Sequence, residues 1–194
     1  MSAVDVIRMP HAAARWDLVD TYLARRRDVF IARKKWELSG HAHNEHEQYD
    51  CLPLSHYIIA HRDAEVLAGV RLLRCDRELA NPDGSKPISY MIRDAYLGRI
   101  ALPPALWGDG EPPTDPATWE LTRFLNVSND PQIAGHLLNI AAQYISANGG
   151  KRVLFLSHPA LVRVARRHGF PSVAKGPIVG NESGSFLASQ CDLV

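Results

Sequence analysis

Cysteine, net charge and long apolar runs are all scarce in this 194-residue sequence. The three cysteines, Cys51, Cys75 and Cys191, are odd in number and lack the close spacing of a metal or redox motif. That excludes a disulfide framework and predicts ordinary reduced thiols. The formal net charge is only +1, which removes any global argument for nucleic-acid binding. No apolar run approaches the roughly 20 residues that span a bilayer, so no membrane insertion is expected. Residues 1–15 carry no apolar signal core, and a cytoplasmic protein is the expectation. Internal repeats and low-complexity segments are missing as well. What is present is an ordinary globular composition, 46% hydrophobic and 22% charged, in a length that suits one domain over 1–194.

Hydrophobic periodicity divides the chain into elements. Leu18, Tyr22, Arg25 and Val29 step by three or four, as do Val19, Leu23, Arg26 and Phe30, which predicts a helix over 12–36. Arg25, Arg26 and Arg27 cannot share one helix face, since each step turns about 100°. Arg26, four residues before Phe30, is the one expected to turn inward; a solvated basic run is the alternative. Residues 55–74 read as a hairpin. Within it Gly69 permits close approach by a backbone or a ligand, and Arg71 sits in an apolar frame. Arg71 is then either an edge charge or a buried arginine with an acidic partner. A short helix is expected within 89–100. Trp119-Glu120-Leu121-Thr122-Arg123-Phe124 reads as a strand, with Trp119, Leu121 and Arg123 on one face and Glu120, Thr122 and Phe124 on the other. A helix from Pro131 to about Asn148, a strand over 151–156, a helix from Pro159 to His168 and closing strands over 173–179 and 185–189 complete the chain. This order implies an α/β single domain with a mixed central sheet flanked by helices.

Residues 37–54 break the periodicity. His41, His43 and His46 are interleaved with Glu45, Glu47 and Asp50. A metal site needs ligands fixed on a scaffold, and no predicted element flanks these histidines. Solvated histidines or a mobile loop on the substrate side are the favoured readings, with no metal bound. The carboxylates are of more interest, because they suit a cationic substrate.

The charged positions form an ordered pattern: Arg26-x-x-Val29-Phe30, Trp36-Glu37, Glu45-x-Glu47-x-x-Asp50, Val70-Arg71-Leu72 and Glu120-x-x-Arg123-Phe124. In this order and at these gaps the chain resembles the acyl-homoserine-lactone synthases, from about Arg15 to Arg167. The resemblance implies a fold related to the N-acetyltransferases, with a V-shaped cleft between splayed strands. It also implies a reaction: an acyl group passes from acyl-carrier protein or acyl-coenzyme A to the α-amine of S-adenosylmethionine. Lactonisation then gives an N-acyl-homoserine lactone, a quorum-sensing signal, and methylthioadenosine. These molecules are substrates and products, so no cofactor is implied. By resemblance the characteristic set falls on Arg26, Phe30, Trp36, Glu47, Asp50, Arg71, Glu120 and Arg123. The family usually has aspartate where this chain has Glu47.

The chemistry explains why such residues are needed. An α-amine has a pKa near ~8, so attack on a thioester calls for a general base, and Glu120 is the first candidate. Oxyanion donors are expected from backbone N–H groups near residues 121–124. Lactonisation needs the substrate carboxylate held beside the carbon that bears sulfur, a task for Arg26 or Arg123. Glu47 and Asp50 suit the sulfonium or ammonium, and Phe30 and Trp36 suit the adenosine part. The acyl chain is expected between the Trp119 strand, the 131–148 helix and the 151–156 strand, near Leu121, Thr122, Leu154 and Phe155. Apolar residues at 154–156 offer a 3-oxo group no hydrogen bond, so an unsubstituted, branched or aryl acyl group is expected. Arg163, Arg166 and Arg167 suit an acidic carrier protein, or else form a solvated helix face. The rival readings are a general coenzyme-A-dependent N-acyltransferase and a non-catalytic ligand-binding module. The first usually has a Gly-rich pyrophosphate loop opening a helix, and no convincing one occurs here.

Overall fold

The computed structural model describes residues 2–33, 43–50, 53–81, 84, 86–108, 110–128, 130–181 and 184–193. Among the described residues there are eight strands. These are β1 (Ala3–Arg8), β2 (His56–Arg62), β3 (Glu65–Arg74), β4 (Thr118–Asn126), β5 (Arg152–Ser157), β6 (Val173–Ala174), β7 (Val179–Asn181) and β8 (Gly184–Asp192). The α-helices among the described residues are α1 (Trp16–Arg26), α2 (Met91–Tyr96), α3 (Pro131–Ala147) and α4 (Pro159–Arg167). The strands form one sheet in the order β1-β2-β3-β4-β5-β8-β6, with β7 paired to β8. Among the described residues only β4 and β5 run parallel, and the α3 crossover supplies the length that a parallel connection needs.

Local chemistry sets the element ends. Asp130 caps α3 by accepting the Gln132 N–H at 2.8 Å, and His158 caps α4 by accepting from Ala160 at 3.1 Å. Gly149 and Gly169, at φ +80° and +87°, turn the chain out of the two helices. Beyond Arg26 the α1 axis continues as a π-helix over Arg27–Arg33.

Period-2 alternation gives the sheet two apolar faces. On one, α3 and α4 cover Ile58, Val70, Leu72, Trp119, Leu121, Val153 and Phe155. The other face carries two separate clusters. Tyr22 and Leu23 of α1 pack on Tyr57, Ile59, Val66 and Leu125, whereas α2 packs with Leu73, Leu154, Leu156 and Ala188. The charged residues lie between these two clusters.

The parallel pairing of β4 with β5 runs only from Thr118↔Arg152 to Leu121↔Phe155. β4 then follows β3 through Asn126 while β5 follows β8 through Ser157. The two strands therefore part beyond Leu121, which opens the expected cleft. The mixed α/β sheet flanked by helices is as the sequence predicted. The strand β1, along the sheet edge, is an addition to it. Among the described residues, no helix is long and apolar enough to cross a membrane.

Candidate active site

On the face shared by α1 and α2, β3 presents Gly69 beneath α1 and Leu73 beneath α2, with Arg71 between them. β4 places Leu125 at the α1 end and Glu120 at the α2 end. Into this gap the segment 43–50 folds inward, with the Glu45 N–H donating to Leu23 O at 3.1 Å. Glu45, Tyr49 and Asp50 of this segment are buried, whereas His43 and His46 are exposed.

Three arginines and three carboxylates meet there. Arg26 donates through Nε to Glu45 Oε2, and through Nη1 and Nη2 to Asp50 Oδ1 and Oδ2 at 2.7 and 2.9 Å. Arg71 reaches Asp50 Oδ1 at 3.1 Å and Glu47 Oε1 at 2.7 Å. Arg123 reaches Glu47 Oε2 at 2.6 Å and Glu45 Oε1 at 3.3 Å. Each arginine thus touches two carboxylates and each carboxylate two arginines. The six groups close into an alternating ring of zero formal charge. Four of the side chains are fully buried; Glu47 and Arg123 retain 12% and 8% exposure and form the ring's open arc.

Hydroxyls and aromatic faces fix this ring. The Tyr57 hydroxyl donates to Asp50 Oδ1 at 3.0 Å, and Thr122 Oγ1 accepts from Arg71 at 3.1 Å. Arg26, Arg71 and Arg123 lie over the rings of Tyr22, Tyr49 and Phe30 at 5.4, 5.5 and 5.9 Å. Burial alone would raise the Asp50 pKa, but Arg71 and Arg26 outweigh it and hold the carboxyl well below its ordinary range. Burial also works against ionised Glu47, yet Arg123 and Arg71 lower its pKa. The same reciprocity holds Arg26 firmly charged: burial opposes it, and Asp50 and Glu45 prevail.

Glu120 stands apart from the ring. It is fully buried, and its two oxygens accept the Met91 and Ile92 N–H groups at 3.0 and 2.8 Å. This ties β4 to the first turn of α2. Burial pushes its pKa up to about 7, while those two N–H bonds pull the other way. A carboxyl so placed exchanges a proton near neutrality.

One predicted orientation is corrected. Strict alternation puts Arg123 with Trp119 and Leu121, on the face away from Glu120. Instead the β3–β4 register slips between Gly69 and Arg71, and Arg123 adopts φ +55°. Two residues of β4, Arg123 and Phe124, then oppose Val70 alone, which is a β-bulge. Arg123 turns to the face of Thr122 and Glu120, and Phe124 packs on the α3 side.

Of the set that the resemblance implies, the ring brings together Arg26, Glu47, Asp50, Arg71 and Arg123, with Phe30 and Thr122 in contact. Leu121 and Phe155 pair across the start of the cleft and face α3. Leu154 faces the α2 side instead. Arg163, Arg166 and Arg167 are exposed on α4, although Arg166 also bonds Ser172 O at 2.8 Å. Trp36 and His41 lie outside the described residues. The sequence singled out Glu45 as one of three carboxylates suited to a cationic substrate but left it out of the characteristic set, and it gave Tyr22 and Tyr57 no role. Among the described residues, no three His, Cys, Asp or Glu side chains converge as a metal would need.

No family model matches the chain. Five curated proteins do, all named acyl-homoserine-lactone synthase. One, from Acinetobacter nosocomialis, is 24% identical over 187 residues, spanning 91% of this chain and 92% of its own. This chain is similar to the acyl-homoserine-lactone synthases. The likeness extends to the fold. The structure of a coenzyme-A-dependent acyl-homoserine lactone synthase, BjaI, with SAM and isopentyl-CoA, superposes with a TM-score of 0.81 at 18% identity, over 100% of this chain and 84% of that one. An acyl-CoA N-acyltransferase from Pseudomonas aeruginosa gives 0.64 at 16% identity, over 98% and 99% of the two chains. The N-acetyltransferase-like fold expected from the sequence is therefore present, and within that broad fold the synthases are the better match of the two.

Proposed function

We propose that this protein is an acyl-homoserine-lactone synthase. It transfers an acyl group from a thioester to the α-amine of S-adenosylmethionine and releases the thiol. The substrate's carboxylate then displaces sulfur from the adjacent activated carbon, which closes the lactone and expels methylthioadenosine. The observation that carries this reading is the closed charged ring beside the parting of β4 and β5, in a chain matching one such synthase over 91% of its length.

Placement supports the following roles. Glu120, whose pKa lies near that of the reaction's working range, takes the amine proton directly or through one water. The open arc of Glu47 and Arg123 meets the charged end of S-adenosylmethionine. Glu47 faces the cationic groups and Arg123 the carboxylate, and the buried arc of Arg26, Glu45, Asp50 and Arg71 holds these two in register. Because the ring is neutral overall, it orients the carboxylate without strongly quenching it as a nucleophile. Phe30 supports Arg123 and borders the adenosine part. The β4 backbone at the bulge, no longer paired to β5, supplies N–H donors to the oxyanion. Leu121 and Phe155 begin the acyl-chain wall, which favours unsubstituted, branched or aryl groups over 3-oxo ones. No cofactor enters this chemistry, and the acyl donor is a carrier-protein or coenzyme-A thioester.

Mass spectrometry of products from S-adenosylmethionine and a panel of acyl-coenzyme A and acyl-carrier-protein donors tests the reading. The expected result is an N-acyl-homoserine lactone with stoichiometric methylthioadenosine. Acylation of a different amine, with S-adenosylmethionine intact, would instead establish a general N-acyltransferase. Folded protein giving no product from any donor would leave a binding module.

A further inference from the structure

Arg123 sits in a backbone conformation that non-glycine residues rarely adopt, at φ +55°, in the middle of a central strand. Such a conformation persists only when its surroundings over-determine it. The ion pairs to Glu45 and Glu47 hold the side chain, but they do not hold the backbone. The backbone is held from α1: the Tyr22 hydroxyl donates to Arg123 O at 2.5 Å. Tyr22 reaches that carbonyl because residue 69 has no side chain. A Cβ there would lie 2.6 Å from both Cδ2 and Cε2 of the Tyr22 ring. Gly69 is also the position at which the β3–β4 register slips. The close approach foreseen at Gly69 is therefore made by an aromatic ring, not by a backbone or a ligand.

We propose that Tyr22, seated over Gly69, is a positioning residue that holds the Arg123 bulge and so aims the Arg123 guanidinium into the charged ring. Tyr22 is completely buried, packs edge-on to Tyr57 at 6.1 Å, and lies under the Arg26 guanidinium. Its ring thus has fixed neighbours on several sides, which directs the hydroxyl. Burial raises its pKa, with Arg26 and Arg71 acting the other way, so the phenol remains a donor across the working pH range. Without the hydroxyl, the turned-out carbonyl loses a buried partner. The bulge then relaxes toward regular alternation, which swings Arg123 away from Glu45 and Glu47.

This inference rests on the synthase reading for its kinetic consequence but not for its structural one, and the experiment separates the two. Tyr22→Phe keeps the ring and removes only the bond. With S-adenosylmethionine and the best donor of the wild type, kcat is expected to fall at least tenfold in Tyr22→Phe. Amide hydrogen exchange of residues 122–125 accelerates at least tenfold, while α3 amides keep their wild-type protection. Gly69→Ala, which displaces the ring, gives the same pattern. The double variant is no slower than Gly69→Ala alone, because both changes break one bond. Wild-type exchange at 122–125 in Tyr22→Phe would overturn the inference whatever the activity. So would accelerated exchange with unchanged kcat in an active enzyme. A wild type that never consumes S-adenosylmethionine would sink the synthase reading, and the exchange data would still decide whether Tyr22 holds the bulge.

Discussion

Glu120 and Asp50 are both buried carboxyls, but their partners give them opposite chemistry. Asp50 has two guanidiniums and stays ionised; Glu120 has two backbone N–H groups and titrates near neutrality. If Glu120 is the base, kcat/KM rises with pH through about 7. Glu120→Gln, checked for its melting transition, should lose about 100-fold or more in kcat, with the remaining limb moved to the amine's own ionisation near ~8. A pH–rate profile that keeps its limb near 7 would exclude Glu120 from that role. Asp50→Asn has a different signature. It leaves Arg26 and Arg71 short of a buried counter-charge, an arrangement that costs about 3–5 kcal/mol when one partner is removed. Urea unfolding should show that loss, and S-adenosylmethionine binding should weaken with it. Stability within 1 kcal/mol of wild type would mean the ring is less desolvated than its burial implies.

At the scale of elements, most of the fold could be read from periodicity. Ile133, Leu137, Leu138 and Ala141 mark α3, and Tyr57 to Ala60 alternate between the two faces before the β2–β3 turn. The charges in apolar frames pointed to the site for a physical reason. A guanidinium flanked by Val70 and Leu72 in a central strand must either find carboxylates or break the sheet. Two features were not legible. β1 is a six-residue edge strand of half-buried residues, a weak pattern beside a helix. The bulge has no residue marker at all: Arg123 carries the positive φ without glycine or asparagine, because tertiary contacts impose it. Ring closure was hidden for a similar reason, since it depends on the path of 43–50 and not on spacing. The basic face of α4 is an element-scale prediction. Arg163 and Arg167 are exposed, and helix packing does not need their charge. Arg163→Glu with Arg167→Glu should lower kcat/KM for acyl-carrier protein at least tenfold. KM for S-adenosylmethionine should stay unchanged, and the loss should shrink as salt rises. An unchanged kcat/KM with the carrier donor at low salt would remove this face from docking.

Across the whole molecule, two buried groups on opposite faces of the sheet, His56 toward α3 and Glu120 toward α2, act on stability in opposite directions. His56 lies at the β1 side, with Nδ1 2.7 Å from the Tyr144 hydroxyl and its ring 5.1 Å from Trp119. Burial, with Arg8 and Arg74, takes its pKa down from 6.5 to about 4. Between these values the unfolded chain binds the proton and the folded one does not. The His56 contribution is therefore complete above 6.5 and is lost as pH falls toward 4. Glu120 runs the other way. Its folded pKa is raised from 4.5 to about 7, so its contribution is complete below 4.5 and is lost as pH rises through 7. In the shared window the slopes oppose, and the wild type should show a nearly flat stability plateau. Below 4.5 the depressed carboxyls of Glu47 and Asp50 take over, and stability should fall steeply as they are forced to protonate. His56→Phe removes one of the opposed slopes. Its urea midpoint should be lower overall, yet its stability should rise by on the order of 2 kcal/mol as pH drops from about 7 to about 5. Glu120→Gln should do the reverse over the same range. A His56→Phe profile as flat as the wild type would mean that Glu120 does not titrate in this window, which would also remove its qualification as a base near neutral pH.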